Sequence, residues 1–142
     1  MPTFRETQRR RIERILTANK GNASPLTRDL TERLIRNALD FVVRAAEDLW
    51  SVPRPGEREL KYSTIHLYEA IEILLKARLM REHWSLVIVD GEISKRTRQD
   101  LERGKFRSVD YKAAKERLAN ISGVDIDTRA DRAFEDLRDL RN

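Results

Sequence analysis

Apolar and polar positions alternate along this chain in steps of three and four residues, the period of helices that bury one face. The clearest run is Leu30, Leu34, Ala38, Phe41, Val42, Ala45 and Leu49. It predicts a long amphipathic helix opening at Ser24-Pro25, with serine as the cap and proline in the first turn, where no amide is needed. The helix should close near Trp50, because Val52-Pro53-Arg54-Pro55-Gly56 cannot stay helical and forces a reversal. From Leu60 to Trp84 the pattern changes. Ile65, Leu67, Tyr68, Ala70, Ile71, Ile73, Leu74, Leu75, Ala77, Leu79 and Met80 ring nearly the whole circumference. A helix apolar all round belongs at the centre of a bundle. The charges inside it, Glu69, Glu72, Lys76 and Arg78, then need partners or an opening to water. Glu72 and Lys76 stand in the favourable i,i+4 order and form a candidate buried ion pair, either structural or part of a site.

Weaker patterns flank these two helices. Thr3 and Glu6 have the spacing of a capping box, predicting a helix over about 4–19 with Phe4, Ile12, Ile15 and Leu16 on one side and a stop at Asn19-Lys20-Gly21-Asn22. Leu86-Val87-Ile88-Val89 is β-branched, but no second strand is evident to pair with it, so it reads as an extended apolar plug. Residues 93–104 read as a short charged helix. Ser108 can cap another over about 109–121, with Tyr111, Ala114 and Leu118 facing inward and Gly123 ending it. Asp127 or Thr128 starts a last helix whose stripe is Ala130, Ala133, Phe134, Leu137 and Leu140. No Gly or Pro follows that stripe, and the natural protein is expected to continue past Asn142. The expected architecture is all-α: one helical bundle of about five to six helices around a central apolar helix at about 60–84. Residues 1–22 would be a basic N-terminal helix and connecting loop, and residues 23–142 the bundle domain, cut short in its last helix.

Composition sharpens this picture in a few places. Apolar residues make up 39% and charged residues 37%, as narrow apolar stripes with charged outer faces require. Five Gly and four Pro are too few for the many turns of a β-sandwich. The lack of cysteine removes disulfides, thiol catalysis and thiolate metal sites together. His66 and His83 are the two histidines, too few for a His-rich metal cluster, so neither metal nor cofactor is expected. No apolar run approaches the roughly 20 residues of a membrane span. Met-Pro-Thr-Phe-Arg-Glu lacks a signal-peptide core, so a cytoplasmic protein without a membrane partner is expected. The formal charge of +5 is compatible with RNA or DNA as a partner, although most basic residues sit beside acidic ones.

Candidate chemistry is sparse. There is no phosphate-cradling glycine loop, no nucleophile elbow and no His-Glu-x-x-His. Arg78 and His83 are one candidate pair, since arginine holds phosphate oxygens and histidine moves protons near neutral pH. Five helical positions set them about 140° apart, however, and a basic helix end offsets the dipole equally well. His66 reads as a hydrogen-bonded core residue. Arg9, Arg10 and Arg11, with Arg5 and Arg14 nearby, could grip a nucleic-acid backbone or form a solvated helix face. Aromatic residues do not interleave with them, so no stacking platform for single strands is suggested.

The stretch from Lys61 through Tyr62 to Val89, and above all Ala-Ile-Glu-Ile-Leu-Leu-Lys-Ala at 70–77, resembles the central helix of bacterial HEPN-like (higher eukaryote and prokaryote nucleotide-binding) domains. The ending Phe134-Glu-Asp-Leu-Arg-Asp-Leu-Arg-Asn142 resembles the start of that family's final-helix motif, an arginine, a polar residue, and a histidine four to six positions beyond the arginine. The resemblance spans residues 25–142. It implies a helical bundle that forms homodimers and a metal-independent endoribonuclease in a toxin–antitoxin or phage-defence setting, with RNA and an antitoxin or other protein as partners. By position, Arg141 is the motif arginine and Asn142 its polar neighbour. The implied reaction is attack of a ribose 2′-hydroxyl on the adjacent phosphate, with arginine stabilising charge and histidine transferring the proton. The sequence departs from the motif because no histidine follows Arg141, so this chain by itself is expected to be inactive. The alternative is a non-enzymatic helical module for dimerisation or protein interaction.

Overall fold

The computed structural model describes Glu6, Thr7, Arg10 and residues 24–141. Within 24–141 lie five α-helices: α1 (Pro25–Trp50), α2 (Glu57–Glu82), α3 (Arg98–Glu102), α4 (Tyr111–Ser122) and α5 (Thr128–Arg141). Turns of 3₁₀ helix occupy Trp84–Val87 and Ile93–Lys95, and the described residues contain no β-strand. The protein is an all-α bundle. Glu6, Thr7 and Arg10, within the stretch expected to form an N-terminal helix, are helical and exposed. The other positions of that expected helix, including Arg9 and Arg11, its expected stop at Asn19–Asn22, the expected division after residue 22, and Asn142 lie outside the described residues.

The long helices form where the pattern puts them, for local reasons. Ser24 Oγ accepts the Thr27 amide at 3.2 Å, and Pro25 occupies the first turn of α1. The α1 helix ends at Trp50, where the Ser51 amide makes a last bond to the Glu47 carbonyl at 2.9 Å. The α2 helix opens at Glu57, three residues before the apolar signal, because the Glu59 carboxylate reaches back to accept the Gly56 amide at 2.9 Å. A first turn of Glu57-Arg58-Glu59 carries charge favourable to the helix dipole but no apolar signature. The two helices lie antiparallel. Ser63 of α2 donates to the Ala45 carbonyl at 2.9 Å, and His66 Nδ1 meets Asp48 Oδ2 at 2.7 Å.

The main core gathers on the second half of α2. Leu79 and Met80 are buried with Leu30 from α1, Val87, Val109, and Ala114 and Leu118 from α4. Among the described residues no second strand pairs with the apolar plug, and its one ladder-like contact is a single bridge. The plug is extended only from Ile88, because Leu86 and Val87 lie in the 3₁₀ turn. Ile88 forms an isolated antiparallel bridge with Ser108, the Val89 amide bonds the Arg107 carbonyl at 3.0 Å, and the Val109 amide bonds the Val87 carbonyl at 2.9 Å. Arg107-Ser108-Val109 shows only one apolar residue, so this crossing leaves no pattern in the sequence. Arg117 fixes this crossing from α4: Nη1 donates to the Leu86 and Ile88 carbonyls at 2.7 and 2.9 Å, and Nη2 pairs with Asp90 at 2.8 Å.

Other boundaries differ from expectation: α2 ends at Glu82 rather than near Trp84. The cap of α4 is Asp110, whose Oδ1 accepts the Ala113 amide at 2.9 Å, and the helix starts at Tyr111. Ser108 is committed to the bridge, and its hydroxyl accepts from Lys76 Nζ at 3.0 Å. The single charged helix expected over 93–104 is two pieces, a 3₁₀ turn and α3, because Thr97 starts a new capping box with Asp100. Gly123 ends α4 at φ +63°, and the Val124 amide bonds back to the Leu118 carbonyl at 3.1 Å.

Glu72 and Lys76 meet at 2.7 Å with side chains only 18% and 11% exposed, and Lys76 is shared with Ser108. Glu72→Ala therefore leaves a nearly dry ammonium with one neutral partner. The expected loss is about 2 kcal/mol, below that of a fully buried pair because some solvent contact remains. Urea unfolding followed by far-UV circular dichroism measures it.

Candidate functional site

The last helix is held by one ring. Of its apolar stripe only Phe134 is buried; Leu137 packs partly, while Ala130, Ala133 and Leu140 are exposed. Phe134 enters between two tyrosines, stacked on Tyr111 of α4 at 3.5 Å between ring centroids and on Tyr68 of α2 at 4.4 Å. Such pairs contribute about 0.5–1.5 kcal/mol each beyond the area they bury. The stack draws the polar groups of three helices together. Asp127 Oδ1 starts α5 by accepting the Arg129 amide at 2.8 Å. One turn on, Asp131 accepts the Tyr111 hydroxyl at 2.8 Å and Lys115 Nζ at 2.5 Å.

At the other end of α5, Arg141 lies on α2. Its guanidinium carbon sits 4.2 Å from the centre of the Tyr68 ring, a cation–π contact, and Nη1 is 3.7 Å from Glu69 Oε1. Between the two ends of α5 opens a cleft of about 180 Å³, lined by Tyr68, Asp110, Tyr111, Lys112, Lys115, Glu135 and Arg138. Glu135 and Arg138 form an ion pair along its rim.

The electrostatics follow from these contacts. Burial, then the hydrogen bond to Asp131 and the charge of that carboxylate, push the Tyr111 phenol far above its ordinary value. Burial also raises Tyr68, assisted by Glu72 and opposed by Arg141 and Arg138. The hydrogen bonds from Lys115 and Tyr111 hold the Asp131 carboxyl below the usual carboxylate range. Neither phenol is a base near neutral pH, and neither histidine lines the cleft. The lining brings the cationic side chains of Lys112, Lys115 and Arg138 together with the two phenols.

The other sequence candidates lie elsewhere. Arg78 pairs with Glu82 at 2.5 Å, whereas His83 turns away at the end of α2, bonded to Ser85 at 2.7 Å and beside the Trp84 ring. Those contacts do not make Arg78 and His83 a pair. His66 is half-buried, bonded to Asp48 and 5.9 Å from the Phe41 ring. Glu72 and Lys76 bond each other and Ser108. Arg10 is exposed. Among the described residues, no group of three or more His, Cys, Asp or Glu is placed to hold a metal ion, and no helix is long and apolar enough to cross a membrane. Sequence reasoning missed Lys112, Lys115, Asp131 and Arg138 as members of one site. Comparison with protein-family models, with curated proteins and with solved structures finds no match.

A carboxyl held low in the folded state contributes stability that is complete above its unfolded value, about 3.9, and fades as pH falls through its lowered value. Asp131 is such a group. Asp131→Asn is expected to reduce stability at pH 7 and to flatten the loss between pH 5 and pH 3, so that the two proteins converge in acid. Urea midpoints across that range check this.

Proposed function

We propose that this chain is an RNA-directed helical domain of the HEPN-like kind, which holds RNA along the cleft between α2, α4 and α5. The observation that carries the reading is the seat of Arg141. It lies over Tyr68, beside Glu69 and on the helix carrying Arg138, so the arginine that matches the family's motif stands next to a cleft bearing Lys112 and Lys115. An arginine packed on an aromatic face keeps its fork oriented and its N–H groups available for phosphate oxygens. In the ribonuclease chemistry that the resemblance implies, Arg141 stabilises the charge that builds on phosphate as the 2′-hydroxyl attacks. The residues lining the cleft include no imidazole, so binding is the activity proposed for them. Cleavage requires a histidine placed beside Arg141. The toxin or phage-defence role, and an antitoxin or other protein partner, belong to the same reading.

Binding of a labelled single-stranded RNA, followed by fluorescence anisotropy at several salt concentrations, tests it. Arg141→Ala should weaken binding about tenfold, the worth of one charge-assisted hydrogen bond, and lower the salt slope by about 1. RNA that stays unbound at low salt, or is bound equally by parent and variant, refutes the reading. In a parallel gel assay, cleavage by the parent that is lost in Arg141→Ala would extend the proposal from binding to catalysis.

One observation favours a second reading, a non-enzymatic dimerisation module. Leu60, Leu67 and Leu74 repeat at seven-residue steps along α2, and Leu60 and Leu74 are 54% and 40% exposed. A seven-residue row of leucines is the seam along which two helices pair. Leu74→Lys is then expected to convert a dimer to a monomer in sedimentation velocity without loss of helix content. If parent and variant both sediment as monomers, the module reading fails.

A further inference from the structure

The Tyr68 side chain is spent in every direction but one. Phe134 covers one part of its ring and the Arg141 guanidinium another, and the residue as a whole is only 5% exposed. Its hydroxyl nevertheless has no hydrogen-bond partner among the described residues, and Tyr68 lines the cleft. The hydroxyl opens on the water of the cleft, unlike the buried, unpartnered Ser122 Oγ, and is therefore free to donate to a ligand atom there.

The donors and acceptors around the cleft define what that atom is. Each carboxylate already has a donor: Asp110 takes the Ala113 amide, Asp131 takes Tyr111 and Lys115, and Glu135 takes Arg138. The unspent capacity belongs to donors. The Tyr68 hydroxyl is free, Lys112 has no partner among the described residues, and Lys115 and Arg138 keep N–H groups beyond those their carboxylates use. Aromatic faces that would stack a base are already covered, which argues against a nucleobase. About 180 Å³ is room for about six waters, enough for a tetrahedral oxyanion and the first atoms of its ester.

We infer that the cleft is a seat for a single phosphoryl group, with the Tyr68 hydroxyl as the directing donor and Lys112, Lys115 and Arg138 as the cations around it. The inference rests on the RNA reading only for the source of the phosphate. That source is either the terminal phosphate of an RNA or one phosphate within its backbone.

Tyr68→Phe removes one oxygen and keeps the ring stack and the Arg141 contact. Thermal unfolding is followed with inorganic phosphate added against sodium chloride of equal ionic strength, for the parent, Tyr68→Phe and the exposed-site variant Lys112→Met. The parent should gain melting temperature with phosphate, and both variants should need about tenfold more phosphate for the same gain. Affinity is then compared for one RNA carrying a 5′-phosphate or a 5′-hydroxyl. A preference for the phosphorylated end that Tyr68→Phe abolishes assigns the seat to a terminal phosphate. Equal weakening of both RNAs by Tyr68→Phe assigns it to a backbone phosphate. If phosphate stabilises all three proteins alike, or none of them, the seat is refuted, whatever Arg141→Ala does to RNA binding. Phosphate stabilisation that depends on Tyr68, with no binding of either RNA, keeps the seat and removes the RNA reading. Should Tyr68→Phe melt early without phosphate, the response of Lys112→Met decides between seat and no seat, since its side chain supports no packing.

Discussion

Everything proposed for this protein depends on where one phenyl ring goes. Phe134 is the single buried residue of α5, and the two tyrosines that receive it come from helices far apart in the sequence. Burying an aromatic side chain of this size stabilises by roughly 1.5–3 kcal/mol, more than any exposed ion pair along α5 can supply. The ring also fixes the rotation of the helix. With Phe134 inserted, Asp131 is brought to Tyr111 and Lys115, and Arg141 is laid across Tyr68. Packing therefore comes first, and the charges fall into place around it.

The two halves of α2 serve different purposes. Its second half, with Leu79 and Met80, makes the main core with α1 and α4, while Tyr68 belongs to the smaller aromatic cluster. The Glu72–Lys76 pair sits between them and reaches out to Ser108, so the same polar link that ties α2 to the bridged crossing also adds to the field around Tyr68. Arg117 does the corresponding work on the opposite side of the crossing by satisfying two carbonyls that a single bridge leaves open.

Most of the helices were legible in the residues because their stripes are long. Leu30 to Leu49 gives α1, the apolar circumference of 65–80 gives α2, and Ser24-Pro25 and Gly123 behave as their chemistry dictates. Short contacts between distant segments were not legible. The Ile88–Ser108 bridge has too few apolar residues on one side to leave a pattern, and Ser108 looks as good a cap as Asp110 until its hydroxyl is seen to be in use. The stripe of α5 promises more packing than it makes, since Ala130, Ala133 and Leu140 have the right spacing but stay exposed. For the site, Arg141 stood out through its place in a motif. Lys115 and Asp131 lie 16 residues apart across a turn and Tyr111 and Asp131 lie 20 apart, separations at which nothing local in a sequence says that two side chains meet.

A helix with one buried residue has a further consequence. The α1–α2 hairpin and its core with α4 need nothing from α5, whereas Tyr68 and Tyr111 acquire their third ring only when it docks. A helix with a single buried residue belongs to the low-stability end of a fold. Local opening of α5 would dissolve the cleft while sparing the main core, which includes no residue of α5. A ligand held there would bind the docked state alone, and its occupancy would add to the stability of that one segment.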